Sequence, residues 1–150
     1  MKSKPIPWLY AATAFGMGLV WFLALHASPF TGPFFHTDWL SFKLKTHELI
    51  LLLCLSSLGV ALTFRRLILR SESWLVGALL PYYGAILFIS SCALLGHALR
   101  RTHEGGSLEE VLGITGISIA YGLVYALLSF HVVVPMGMLS HRVMQWAASR

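Results

Sequence analysis

The feature that most constrains this chain is the uncharged stretch at residues 74–99, WLVGALLPYYGAILFISSCALLGHAL. A helix needs about 20 predominantly apolar residues, at about 1.5 Å of rise per residue, to cross a bilayer. This stretch exceeds that length and contains no Asp, Glu, Lys or Arg. It therefore predicts a helix that spans a membrane.

The overall composition agrees with a membrane protein. Hydrophobic residues make up 57% of the chain and charged residues 11%, with a mean hydropathy of +0.73, a balance that soluble domains rarely reach. The net charge of +5 comes largely from basic residues that flank apolar stretches as short pairs. Such pairs are typical of membrane flanks and not of a groove that follows phosphates, so the pattern argues against nucleic-acid binding.

Three further apolar stretches accompany the first. We predict an all-α, polytopic membrane protein that forms a single domain over residues 1–150, with spans at residues 8–27, 47–64, 74–99 and 108–131. A signal peptide is the competing interpretation of residues 8–27, but the apolar run is longer than the usual h-region.

The segments outside the predicted spans have their own character. Residues 28–46 contain helix-breaking prolines and glycine with interleaved aromatic residues, which predicts a loop lying on the membrane surface. Residues 135–149 place Met136, Leu139, Val143 and Trp146 on one helical face, which predicts an amphipathic interfacial tail bent at Pro135. A single long tilted fourth helix is the alternative.

Small and polar residues recur at helical spacing. Ala12 with Gly16, and Ala14 with Gly18, are small-xxx-small pairs that let another helix approach closely. Two longer stripes should face each other as a helix-packing surface inside the bundle, since lipid offers polar side chains no partners. One stripe, on the third span, comprises Tyr83, Ser90 and His97, and the other, on the fourth, comprises Thr115, Ser118, Gly122, Tyr125 and Ser129.

The distribution of Lys and Arg predicts the orientation. With the N-terminus inside, four spans place seven of the 11 basic residues on the inner side and four on the outer side. The positive-inside rule therefore predicts a plasma (inner) membrane protein of bacterial type with both termini in the cytoplasm.

Histidine is the residue type that could carry chemistry here. His26, His47 and His97 fall near the predicted outer ends of three spans, and histidines at equal depth on different helices can clamp a haem. Histidine is also common at membrane interfaces, where its nitrogens meet water, and no HxxxH, HExxH or HxH pair is present. The sequence therefore predicts no cofactor or metal, with haem b at these histidines as the alternative.

The sequence contains no recognisable catalytic motif, such as GxSxG or a phosphate-binding glycine loop. We therefore expect a protein without its own catalytic site that acts as an accessory or assembly subunit of a membrane complex. Its partners would be the lipid bilayer, other membrane subunits or a second copy of itself. The alternatives are a haem-binding redox subunit and a small oligomeric channel or carrier lined by the two polar stripes.

Overall fold

The structure, a computed structural model, describes residues 7–27, 44–104 and 107–149. Six helices follow one another: α1 (Pro7–Ala27), α2 (Thr46–Thr63), α3 (Arg65–Arg70), α4 (Trp74–Glu104), α5 (Leu108–Leu128) and α6 (Phe130–Ser149). No strand occurs in these ranges, which confirms the all-α prediction.

Three of these helices are long and apolar enough to cross a membrane. The qualifying segments are Trp8–Ala27, Thr46–Thr63 and Trp74–Gly96. Helices α5 and α6 meet the same criterion only together, as a pair bent by 87°. The chain is therefore a membrane protein with three candidate spanning helices, or four if the bent pair is counted as one broken span.

Four helices surround a common centre. Helix α1 contacts α2, α2 contacts α4, α4 contacts α6, and α6 contacts α1. The fifth long helix, α5, packs mainly against α4 and exposes large side chains along its length, among them Leu112, Ile117, Tyr121, Val124 and Leu127. Because lipid surrounds a membrane bundle, such exposed apolar side chains are the expected outer surface.

Two hydrophobic clusters lie toward opposite ends of this ring. The first contains Phe22, Leu44, Leu49, Leu53, Phe88, Ile89 and Cys92. The second contains Tyr10, Ala14, Ala61, Ile68, Met144 and Ala148. The second cluster collects residues from the start of α1, the end of α2, helix α3 and the end of α6, so α6 closes the end of the bundle where α1 and α4 begin.

The bend near the C-terminus differs from the sequence prediction. Helix α5 ends at Leu128 and α6 begins at Phe130, so the break lies at Ser129 and Pro135 lies inside α6. The prediction of a bend at Pro135 is wrong in position. Proline disturbs the turn before it, because its ring clashes with the carbonyl group four residues earlier, here that of His131.

Helix α6 is also more deeply packed than an interfacial tail. One face of α6 is buried, through Val133, Gly137, His141, Met144, Ala147 and Ala148. Leu139 and Trp146, which belong to the predicted apolar face, are 50% and 55% exposed. The interfacial loop predicted at residues 28–46 lies outside the described residues except for its last three positions.

Glycines make the closest helix crossings. A side chain at Gly18 of α1 would collide with the Cα atom of Cys54 and lie 2.7 Å from its backbone nitrogen. At the second crossing, a side chain at Gly137 of α6 would collide with the carbonyl oxygen of Gly77 and the ring of Pro81 on α4. Pro81 has no N–H to donate to the Gly77 carbonyl group, so α6 approaches α4 where this carbonyl lacks its usual helical partner.

Candidate functional site

A small cavity lies at the centre of the four-helix ring. Its volume is about 90 Å³, enough for a few water molecules or a short length of hydrocarbon. Its walls come from α1, α2, α3, α4 and α6 and are mainly apolar, with polar groups supplied by Ser56, Ser57, Ser140, His141 and Trp21. Polar groups from several helices therefore converge on this cavity.

Hydrogen bonds fix the polar side chains of the cavity wall. The indole N–H of Trp21 donates to the hydroxyl oxygen of Ser140 at 3.0 Å, and this hydroxyl donates to the carbonyl oxygen of Met136 at 2.7 Å. On the other side, the hydroxyl group of Ser57 donates to the carbonyl oxygen of Ala14 at 2.7 Å. These bonds join α1 to α6 and α1 to α2, so the polar groups hold the walls in place.

His141 and Gln145 form the polar end of the cavity region. His141 is only 6% exposed, and its Nε2 atom lies 3.0 Å from the carbonyl oxygen of Ile68. The amide nitrogen of Gln145 donates to the same oxygen at 3.0 Å and to the carbonyl oxygen of Ser71 at 2.8 Å. Nε2 of His141 also lies 3.3 Å from the amide nitrogen of Gln145, so this atom donates to Ile68 in one tautomer and accepts from Gln145 in the other.

The bonds of His141 and Gln145 satisfy backbone groups at the end of α3. The last carbonyl groups of a helix lack intrahelical partners and require others when they are buried. The two side chains supply these partners to Ile68 and Ser71. Their geometry supports a structural role, in which the two side chains join α3 to α6.

The three histidines proposed for haem occupy different settings. His26 ends α1, is exposed, and stacks on Phe22 with ring centroids 5.6 Å apart. His47 is exposed in the first turn of α2, at the same end of the α1–α2 pair. His97 lies within α4, but its side chain is outside the described part. No group of three or more potential metal ligands occurs among the described residues, and haem binding stays a prediction.

The predicted polar stripes are only partly described. Tyr83 is 56% exposed and packs edge-on against Phe64 at 5.0 Å, so it does not face the bundle interior as the sequence analysis expected. Ser90 and Thr115 are half-buried, whereas Ser129 is fully buried at the α5–α6 break. The side chains of Ser118, Gly122 and Tyr125 lie outside the described part. Helices α4 and α5 are nevertheless neighbours, as their stripes predicted.

A second depression lies on the outside, between α1 and α2. This outer groove has a volume of about 360 Å³ and is lined by Phe15, Gly16, Leu19, His47, Ile50, Leu51 and Cys54. Gly16 is exposed, and a side chain added there would meet no atom of the described residues within 4 Å. The groove therefore combines apolar walls with a glycine at which another helix could approach closely.

Sequence reasoning missed His141 and Gln145, which it did not assign to any site. A usable signal was present in the spacing of Gly137, His141, Met144 and Ala148. These residues recur every three or four positions and mark a face suited to close packing.

Comparisons with protein-family models, curated proteins and solved structures find no match to the chain.

Proposed function

We propose that the protein is an accessory or assembly subunit of a membrane complex and that it docks a helix of a partner membrane protein in the outer groove. The observation that carries the proposal is the uncovered Gly16. Small residues let helix backbones approach closely within membranes, where van der Waals packing drives association. Helix α2 covers Gly18, two positions away, whereas no described residue covers Gly16.

The walls of the groove also suit a helix. Leu19 and Leu51 are 47% and 51% exposed on its two sides, and Phe15 and Ile50 add further apolar surface. These side chains can interdigitate with those of a partner helix whose small residues lie over Gly16. The partner is therefore another membrane helix, contributed by a different subunit or by a second copy of this chain.

Further parts of the proposal concern the membrane. We place the protein in the plasma (inner) membrane with four spans, of which the last is the bent α5–α6 pair, and with both termini in the cytoplasm. This orientation is supported by the excess of Lys and Arg on the inner side, which includes Arg65, Arg66 and Arg70 between α2 and α4.

A photo-crosslinking amino acid at Leu51 tests the docking proposal in native membranes. We expect a discrete crosslinked product with a membrane protein, whose mass distinguishes a different subunit from a second copy of this chain. Gly16→Leu should abolish the product because its side chain fills the groove. Gly113→Leu is the matched control, since Gly113 also has no atom within 4 Å of an added Cβ but lies on α5.

The outcome can contradict the proposal clearly. Crosslinks to lipid alone would overturn it. An unchanged protein product in Gly16→Leu, or equal loss in Gly16→Leu and Gly113→Leu at normal membrane levels, would show that the groove is not the docking surface.

A further inference from the structure

An arginine-lined concavity lies beside the end of α2. It has a volume of about 610 Å³ and is lined by Leu62, Thr63, Arg65, Arg66, Leu69 and Arg70. Half of these residues are arginines and none is acidic. Three guanidinium groups thus share one depression, and no acidic side chain of the described residues lines it.

The position of this concavity relative to the membrane is fixed by the neighbouring spans. The second candidate span ends at Thr63 and the third begins at Trp74, so the three arginines lie in the connection between them. Trp8 and Trp74, at the start of α1 and α4, are 67% and 59% exposed. Exposed tryptophans are typical of the headgroup level of a bilayer, which places the arginines next to lipid headgroups.

Arg65 is held in place for binding. Its guanidinium carbon lies 5.5 Å from the centroid of the Tyr10 ring, within the range of a cation–π contact. The ring is itself fixed, because the Tyr10 hydroxyl donates to the carbonyl oxygen of Ala61 at 2.9 Å. The Nε atom of Arg65 is buried and has no hydrogen-bond partner among the described residues. A buried donor without an acceptor is costly, and the contact with the Tyr10 ring is the interaction that fixes the guanidinium group here.

We propose that this concavity binds the phosphate group of an anionic phospholipid. Guanidinium groups match phosphate oxygens with paired, charge-assisted hydrogen bonds, and three of them exceed the single negative charge of a phosphodiester. Leu62 is 53% exposed beside the arginines, so acyl chains can continue along the apolar surface of α2. A lipid therefore fits this site better than a free anion, because it satisfies both the guanidinium groups and the apolar wall.

The test uses the full chain in bilayer nanodiscs. Thermal unfolding is measured in phosphatidylcholine alone and with phosphatidylglycerol added, and native mass spectrometry counts the phosphatidylglycerol that stays bound. We expect phosphatidylglycerol to raise the melting temperature. Arg66→Gln and Arg70→Gln, at exposed positions that should not disturb folding, should each weaken its binding on the order of tenfold, and Arg65→Gln at least as much.

Arg142→Gln is the matched control, since Arg142 is an exposed arginine of α6 that does not line the concavity. If Arg142→Gln weakens binding as much as Arg66→Gln and Arg70→Gln, the attraction is diffuse and the site is refuted. Unchanged phosphatidylglycerol binding in those two variants also refutes it. Inorganic phosphate added to phosphatidylcholine nanodiscs should stabilise the protein little. Stabilisation equal to that by phosphatidylglycerol would overturn the assignment to a lipid.

Discussion

Gly16 and Gly18 show two different uses of the same residue on one helix. Two positions correspond to about 200° of rotation around an α-helix, so the two glycines lie on nearly opposite faces of α1. A side chain at Gly18 would collide with the backbone of Cys54, whereas one at Gly16 would meet nothing within 4 Å. A glycine in a membrane helix can thus close the protein's own bundle or leave a surface open for a neighbour.

Glycines also allow close packing within the bundle where α4 crosses α6. A Cβ atom at Gly77 would lie 3.0 Å from the Cα atom of Met138, and Gly137 is closer still to α4. By contrast, a Cβ atom at Gly84 of the same α4 would lie 3.7 Å from Val60, which is an ordinary contact. Packing inside the bundle therefore requires glycine only at a few of the described helix crossings.

The largest effect is expected from Gly18→Ala. The new methyl group would collide with main-chain atoms of Cys54, which cannot move without shifting α2, so we expect a loss of at least about 3 kcal/mol of folding free energy. Thermal and denaturant unfolding of the purified protein would measure it. The control is Gly59→Ala, whose nearest atom would be a side-chain carbon of Leu87 at 3.9 Å. Equal stability of the two variants would show that the α1–α2 crossing is wrong.

An intermediate effect is expected from His141→Leu, which tests whether packing inside the bundle depends on polar contacts as well as on glycines. The substitution keeps apolar volume but removes the ring nitrogen that contacts the Ile68 carbonyl oxygen, to which Gln145 still donates. We expect a loss of about 1–2 kcal/mol. Arg142→Leu, at an exposed position of the same helix, should change stability by less than about 0.5 kcal/mol. A similar loss in both variants would contradict the role given to His141.

The sequence predicted the spans better than the contacts between them. Hydropathy places the first two spans within one residue of α1 and α2, because burial in lipid requires a continuous apolar run. It cannot specify which of two similar faces pairs with a neighbour, so Ala12–Gly16 and Ala14–Gly18 were equivalent before the structure separated them.

The partners of His141 were unpredictable for a related reason. The ring of His141 contacts the backbone carbonyl oxygen of Ile68, and Gln145 donates to that oxygen and to the one of Ser71. Both groups are far away in the sequence, and a carbonyl group carries no side-chain signature. The outward position of Tyr83 was missed because spacing of seven residues defines a face of α4 but not the direction in which it points. The contact with Phe64 depends on the turn between α2 and α3, whereas the sequence placed Phe64 at the end of the predicted span 47–64.

The smallest effect is expected from Gly16→Ala, the counterpart of Gly18→Ala on the open face. Since no atom lies within 4 Å of the added methyl group, there is no collision to relieve, and alanine has the higher helix propensity, by about 1 kcal/mol in water. We therefore expect the isolated protein to unfold within about 0.5 kcal/mol of the wild type or slightly above it. Unfolding measurements in the same detergent as for Gly18→Ala would make the comparison direct. A loss in the purified single chain as large as that of Gly18→Ala would mean that the protein itself covers Gly16, and it would remove the distinction between the two faces of α1.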